Sequence, residues 1–420
     1  MLTRRGFIGA TVSIAAFRNE TLDLVERLVD RDVAEADNEE FWKQIRQAFA
    51  LDPNIANFNN GGCSPAPRVV QDAIKRQMDY GNQAPSYYMW QHQEPEIEPV
   101  RKRLAKMFGC DPEELAITRN ASEALQTCLF GLPAKAGDEI LTTTLDYPRM
   151  INTLRQREKR DGVRMVQVDP SHVPKSPQEL LSAFERGITP RTKLILVSQV
   201  SFMNGQIFPV RDVVELGRRH NIPVVVDGAH AFAQFPFTHG ELGCDYYGTS
   251  LHKWLMAPMG TGFLHVQKDK IEPLWPLMAG NPDQAKDIRK YEEIGTHLAA
   301  THNAIGEALT FHELIGGERK AERFRYLRAR WTDWLRDEKN VVFHTNLDSK
   351  HSCAITTVQI KNVTSGSLQA WLLKQHGIYT TTIDHPRFQG IRVTPTVYST
   401  VEEIDRFGEA MLVAARHGVG

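Results

Sequence analysis

The stretch 248–262, GTSLHKWLMAPMGTG, sets one lysine, Lys253, inside an apolar run. An ammonium group buried there must be paired, neutralised or used covalently, because leaving it alone in low dielectric is costly. Ser250 and His252 stand immediately before it. A second stretch, VVVDGAHAFAQ, delivers Asp227 after an apolar run, with His230 three residues on. A carboxylate fixed at the edge of a core suits a cation such as a protonated ring nitrogen, and His230 could donate to an oxygen on the same ring. In a third stretch, ELAITRNASEAL, a strand runs into a helix with Asn120 as N-cap and Glu123 in capping-box position. The amides of Ala121 and Ser122, with the Ser122 hydroxyl, would make a dianion site.

Each signal alone has a commonplace reading: a lysine snorkelling from a helix start, a helix-capping aspartate, a capped helix with no ligand. Together, a phosphate cradle, an acidic partner for a ring nitrogen and an isolated lysine are what pyridoxal 5'-phosphate requires. The lysine forms a Schiff base with the aldehyde, the aspartate keeps the pyridine nitrogen protonated, and the released amine moves protons at the substrate alpha carbon.

The elements that must position these residues alternate. Strand-like runs at 114–118, 139–144, 163–169, 193–200, 222–227, 244–250 and 260–266 are separated mostly by helix-length stretches such as 121–132, 148–160, 176–186 and 209–220. That pattern predicts an α/β fold with a mostly parallel seven-stranded sheet covered on both faces. The run at 260–266 follows its neighbour too closely for a helical crossover, which predicts an antiparallel edge strand. Ligands of such sheets bind at the carboxyl ends of strands, where Asn120, Asp227 and Ser250 fall. Beyond about residue 285 long amphipathic helices dominate. The expected organisation is an N-terminal extension over 1–37, a large domain over 38–285 and a smaller α+β C-terminal domain over 286–420, with 38–60 packing on the latter.

The ordered set FNNGGCSPAP, TRNASEAL, DYPRM, VVVDGAHA, TSLHKW, EIGT and IRVTPTVYSTVEEIDRF, spanning about 55–410, resembles the class V aminotransferase family of fold-type I pyridoxal phosphate enzymes, in its isopenicillin N epimerase-like branch. The resemblance implies that Ala121, Ser122, Ser250 and His252 hold the phosphate, and that Tyr147 lies over the cofactor ring. It implies that Asp227 and His230 meet the ring nitrogen and oxygen, and that Lys253 is the Schiff-base lysine. It further implies that Arg392 grips the substrate carboxylate and that Asn60 and Gly61 close over the substrate. Thr296 would reach the phosphate of a neighbouring subunit, which implies a homodimer with shared active sites.

The implied activity is transamination or epimerisation at the alpha carbon of an amino acid or peptide-linked amino acid. The alternative is a C–S lyase on a cysteine-derived substrate. The region before Arg392, GIYTTTIDHPRFQG, lacks the cysteine that cysteine desulfurases of this group carry there, and Cys353 lies about forty residues upstream. An epimerase also needs a proton donor opposite Lys253, for which Tyr147, His385 and Tyr88 are candidates.

Composition bounds the rest. With 420 residues, 41% hydrophobic and 24% charged, and 50 basic against 51 acidic residues, the chain is that of an ordinary globular protein. The formal charge of −1 argues against nucleic acid and general membrane binding, and no apolar run reaches spanning length. Five scattered cysteines without a CxxC suggest packed thiols, with no disulfide framework and no metal site. The opening MLTRRGFIGATVSIAAF pairs arginines ahead of a short apolar stretch, as twin-arginine export signals do. This predicts a periplasmic location, otherwise a cytoplasmic one. Export would make a siderophore-tailoring transaminase an attractive variant.

Overall fold

The computed structural model describes residues 36–419, so the twin-arginine stretch lies outside the described residues. Its centre is a seven-stranded sheet built from β2 (Leu115–Thr118), β3 (Glu139–Thr143), β4 (Arg164–Val168), β5 (Thr192–Ser198), β6 (Val224–Asp227), β7 (Tyr246–Ser250) and β8 (Gly262–Val266). The spatial order is β2-β8-β7-β6-β5-β3-β4. Neighbours from β7 to β4 pair in parallel. β8 runs antiparallel to both its neighbours, as expected. It is not an edge strand, however: it inserts between β7 and β2, and β2 takes the edge. Loop length dictates the antiparallel hairpin of β7 and β8, whereas the place left for β2 depends on pairing that its own sequence does not encode.

The apolar runs work because both faces of the sheet are covered. Along β5, Ile195 and Val197 enter one core while Leu194 and Leu196 enter the other. Along β6, Val224 and Val226 face the first core and Val225 the second. The second core is roofed by the helix Ala121–Gly131, which presses close to the strands. A Cβ on Gly262 would stand 2.7 Å from Cα of Asn120, and one on Gly248 would stand 3.0 Å from Cβ of Ala124. These two glycines let the helix start lie directly on the strand ends.

A second sheet is antiparallel, in the order β12-β13-β10-β9, from β9 (Val341–Phe343), β10 (Thr356–Ile360), β12 (Thr381–His385) and β13 (Phe388–Val393). Its core takes Leu327, Trp331 and Leu335 from the helix Gly317–Leu335, and Ile404, Phe407 and Met411 from the helix Val401–His417. Two-residue strands β1 (Ala56–Asn57) and β11 (Ile378–Tyr379) pair in parallel, and Ala56 and Phe58 join the same core. The helix Glu39–Arg46 instead sends Phe41, Trp42 and Ile45 into the large core, while Arg46 pairs with Glu403 at 2.8 Å. Packing does not break at residue 286. Ile288 and Tyr291 join a core of the large sheet, and Ile305, Leu309 and Phe311 join the other, because the helix Ile305–Ile315 packs against the helix Arg68–Gly81.

Candidate active site

The carboxyl ends of β5, β6 and β7 and the start of the helix Ala121–Gly131 surround one cavity of about 380 Å3. Ala121, Ser122, Tyr147, Asp227, His230, Ser250, His252, Lys253, Gly61 and Arg392 all line it. These residues are scattered over more than 300 positions of sequence, so their meeting is the work of the topology just described.

At the helix start, Oδ1 of Asn120 accepts from the Glu123 amide at 3.0 Å. Glu123 reaches back, but to Arg119, accepting from its amide at 2.6 Å and from its guanidinium at 2.6 and 3.0 Å. The Ala121 amide donates to Oγ of Ser250 at 2.9 Å, which brings the third strand end onto the helix terminus. Amides, hydroxyls and the positive end of the helix dipole thus converge where a phosphate would be held.

Asp227 ends β6 with its carboxylate buried, and Oδ1 accepts from the Ala229 amide at 2.9 Å. Burial pushes its carboxyl up to about 6, against the pull of that amide and of Lys253. A buried carboxylate so disfavoured gains most from a cation brought against it, which is the role a protonated pyridine nitrogen would fill.

Lys253 lies on a loop beyond β7, not at a helix start. Its Nζ is 3.1 Å from Nε2 of His230. Burial lowers its amine to about 8, with the Asp227 carboxylate opposing and the Arg392 charge assisting. Burial also holds His230 well below the usual imidazole range and brings His252 down to about 4, so both rings are neutral near pH 7. Nδ1 of each ring is buried with no hydrogen-bond partner. Both rings line the cavity, beside the amides, hydroxyls and buried carboxylate already described, a polar lining that suits a polar occupant. The residues present therefore fit pyridoxal phosphate.

Arg392, on β13, reaches the cavity from the second sheet. Its Nη1 donates to the carbonyl of Phe202 at 2.8 Å and its Nη2 to Oδ1 of Asn59 at 2.9 Å, while Nε has no partner. Burial lowers its guanidinium to about 10. It makes no ion pair among the described residues, so a carboxylate entering the cavity meets an uncompensated cation.

One expectation needs correcting. Asn60 does not line the cavity: it is 0% exposed, its amide donates to the carbonyls of Asn57 and Thr394 at 2.9 and 2.8 Å, and Oδ1 accepts from the Tyr398 hydroxyl at 2.5 Å. Its neighbour Gly61 does line it, with a Cβ there falling 3.4 Å from His230. Thr296, whose expected reach is to a neighbouring subunit, lines another cavity with Arg101, Arg119 and Glu292. Of the three possible proton donors, Tyr147 lines the site, its ring edge-on to Phe202 at 5.1 Å. Tyr88 packs on Tyr80 and His385 on Phe388, both elsewhere.

Sequence reasoning missed Asn59, Phe202 and Ser198. Asn59 was adjacent to the asparagine singled out, and only the strand register decides which of the two faces Arg392. Phe202 had no signal at all. Cys63 was also passed over, although its thiol is near enough to sense Lys253, while burial raises it overall.

The fold and this site define a fold-type I pyridoxal phosphate enzyme. A model of the class V aminotransferase family matches residues 56–407, and the chain belongs to that family. It is 30% identical over 396 residues to isopenicillin N epimerase of Amycolatopsis lactamdurans, covering 88% of this chain and 98% of the epimerase. It is 25% identical over 299 residues to hercynylcysteine sulfoxide lyase of Schizosaccharomyces pombe, covering 69% and 76%. Among solved structures it is similar to the cystine C–S lyase C-DES in complex with its product cysteine persulfide, with a TM-score of 0.76 and 23% identity over 85% of this chain and 97% of that one.

Proposed function

We propose that the protein acts at the alpha carbon of an amino acid, free or at the end of a peptide, as an epimerase or an aminotransferase. The observation that carries this reading is that the lowered amine of Lys253 and the guanidinium of Arg392, which no carboxylate pairs among the described residues, share one cavity. Bound there, pyridoxal phosphate supplies the electron sink that acidifies the alpha C–H of an attached amino acid. Ala121, Ser122, Ser250 and His252 would hold its phosphate, Asp227 would keep its ring nitrogen protonated, His230 would donate to its ring oxygen and Tyr147 would pack against its ring. Arg392 takes the substrate carboxylate in a two-pronged grip, which fixes the alpha carbon over the reacting amine. Lys253, neutral above about pH 8, then removes the alpha proton.

Epimerisation and transamination diverge at the next proton. The hydroxyl of Tyr147 is the cavity group suited to deliver it to the second face of the alpha carbon. The second reading, a C–S lyase, draws support from the similarity to hercynylcysteine sulfoxide lyase. Incubation in heavy water with a panel of L-amino acids, small peptides and keto-acid acceptors separates the three. Deuterium at the alpha carbon with D-product marks epimerisation, a new amino acid from the acceptor marks transamination, and pyruvate with a released sulfur species marks the lyase. No exchange at any alpha carbon would defeat the proposal. We also take the protein to be a homodimer and to be exported by the twin-arginine route, which carries folded, cofactor-loaded cargo.

A further inference from the structure

A second lysine, Lys320, is 0% exposed on the helix Gly317–Leu335, and no carboxylate pairs with it among the described residues. Its Nζ donates to the main-chain carbonyl of Trp254 at 2.7 Å and lies 2.9 Å from Nδ1 of His312. Burial alone brings its amine down to about 7. A buried lysine is a poor way to stabilise a core, since an apolar side chain of the same volume does so without the desolvation penalty. Its place in the fold points to another use.

Trp254 is the residue after Lys253. The loop that carries both is closed by the Ala257 amide bonding the Leu251 carbonyl, and it turns through Met256 at φ +59, a conformation side chains disfavour. The Trp254 ring lies between His230 and Phe324, at centroid distances of 6.4 and 5.5 Å. Phe324 and Lys320 belong to the same helix. One helix therefore holds this residue twice, by its ring and by its carbonyl, directly beside the amine that must meet the cofactor.

We propose that Lys320 is a positioning residue for Lys253, anchoring the main chain of its loop through the Trp254 carbonyl. Without that anchor the loop opens to water, and the Lys253 amine loses the dry, fixed setting that lets it react. The inference rests on the reading of Lys253 as the cofactor lysine.

The test is capture of pyridoxal phosphate by the apoprotein: the neutral Lys253 amine condenses with the aldehyde and water leaves. Capture is followed by visible absorbance across pH, and the bond is located by borohydride reduction and peptide mass. Wild type must first label Lys253; failure here sinks the underlying reading and not this inference. In Lys320→Met the pH midpoint for capture should move alkaline by about half a unit or more, as solvation returns the amine toward its ordinary value. The rate near neutral pH should fall roughly threefold or more with it. In a Lys253→Ala background the same change should leave non-covalent cofactor affinity within about twofold, since the phosphate cradle is untouched. An unchanged capture profile, or an equal loss of affinity in the Lys253→Ala background, would overturn the proposal. Should the methionine variant not fold, Lys320→Gln replaces it. Its amide stands one bond short of the Trp254 carbonyl, and a wild-type profile there overturns the proposal equally.

Discussion

Nζ of Lys253 and Nε2 of His230 lie 3.1 Å apart inside a wall that disfavours a positive charge on either. Capture of the cofactor should therefore accelerate as pH rises through about 8, where the Lys253 amine becomes neutral, and should level off above it. Stopped-flow absorbance of apoprotein mixed with pyridoxal phosphate reads this directly. Lys253→Ala should bind the cofactor without forming the reducible bond. A capture rate independent of pH across that window would contradict the assignment.

Asp227→Asn should keep the cofactor and lose the reaction. The phosphate cradle at Ala121, Ser122 and Ser250 is unaltered, so affinity should stay within about tenfold, while kcat falls on the order of a thousandfold as for other deleted electrostatic groups. Equilibrium dialysis and single-turnover rates separate the two quantities. A variant with near-normal turnover would remove Asp227 from the electron-sink role.

Arg392→Lys should raise KM by roughly tenfold or more, because an ammonium cannot copy the two-pronged grip on a carboxylate. Asn59→Ala should act in the same direction and more weakly, since it frees Nη2 of Arg392 without removing the charge. Steady-state kinetics on whichever amino acid the product screen identifies gives both values. Unchanged KM in Arg392→Lys would show that the carboxylate binds elsewhere.

Cys353 should carry no persulfide. It is 0% exposed, its sulfur lies near the carbonyls of Gln234 and Ala321, and burial raises its thiol to about 11. Cys353→Ala should leave product formation from any substrate within about twofold. Robust cysteine-dependent sulfide release that disappears in this variant would reverse the conclusion.

The export proposal is tested in cells. With both Arg4 and Arg5 changed to lysine, the protein should shift from the periplasmic to the cytoplasmic fraction. Identical fractionation of wild type and variant, each with Met1 intact, would leave the opening residues without a targeting role.

The strands of the large sheet were legible in the sequence because most are buried on both faces and read as largely apolar stretches bounded by turns; β4, at the sheet edge, is half-buried to exposed and showed itself by alternation instead. The strand ends carrying Asn120, Asp227 and Ser250 were legible for the same reason. The place of β8 was not, since a hairpin's sequence fixes its direction but not which strand will later lie beside it. The resemblance singled out Asn60; the chain turns that side chain inward and aims its neighbour Asn59 at Arg392. Lys320 sits in GERKAERFRYLRAR, where charged residues crowd every face of the helix. Nothing local distinguishes the one that the Lys253 loop covers.

The insertion of β8 also sets an order of events on the ribosome. β2 carries the phosphate-binding turn, and its one partner in the sheet is β8, whose first residue emerges 144 positions after Thr118. At ordinary elongation rates β2 waits roughly 7–30 s before it can be zipped into place. Until then a nascent chain can assemble β3 to β7 but has no closed cradle at the sheet edge. A chain truncated before 262 should thus be cofactor-blind, and the cradle can close only in the second half of synthesis.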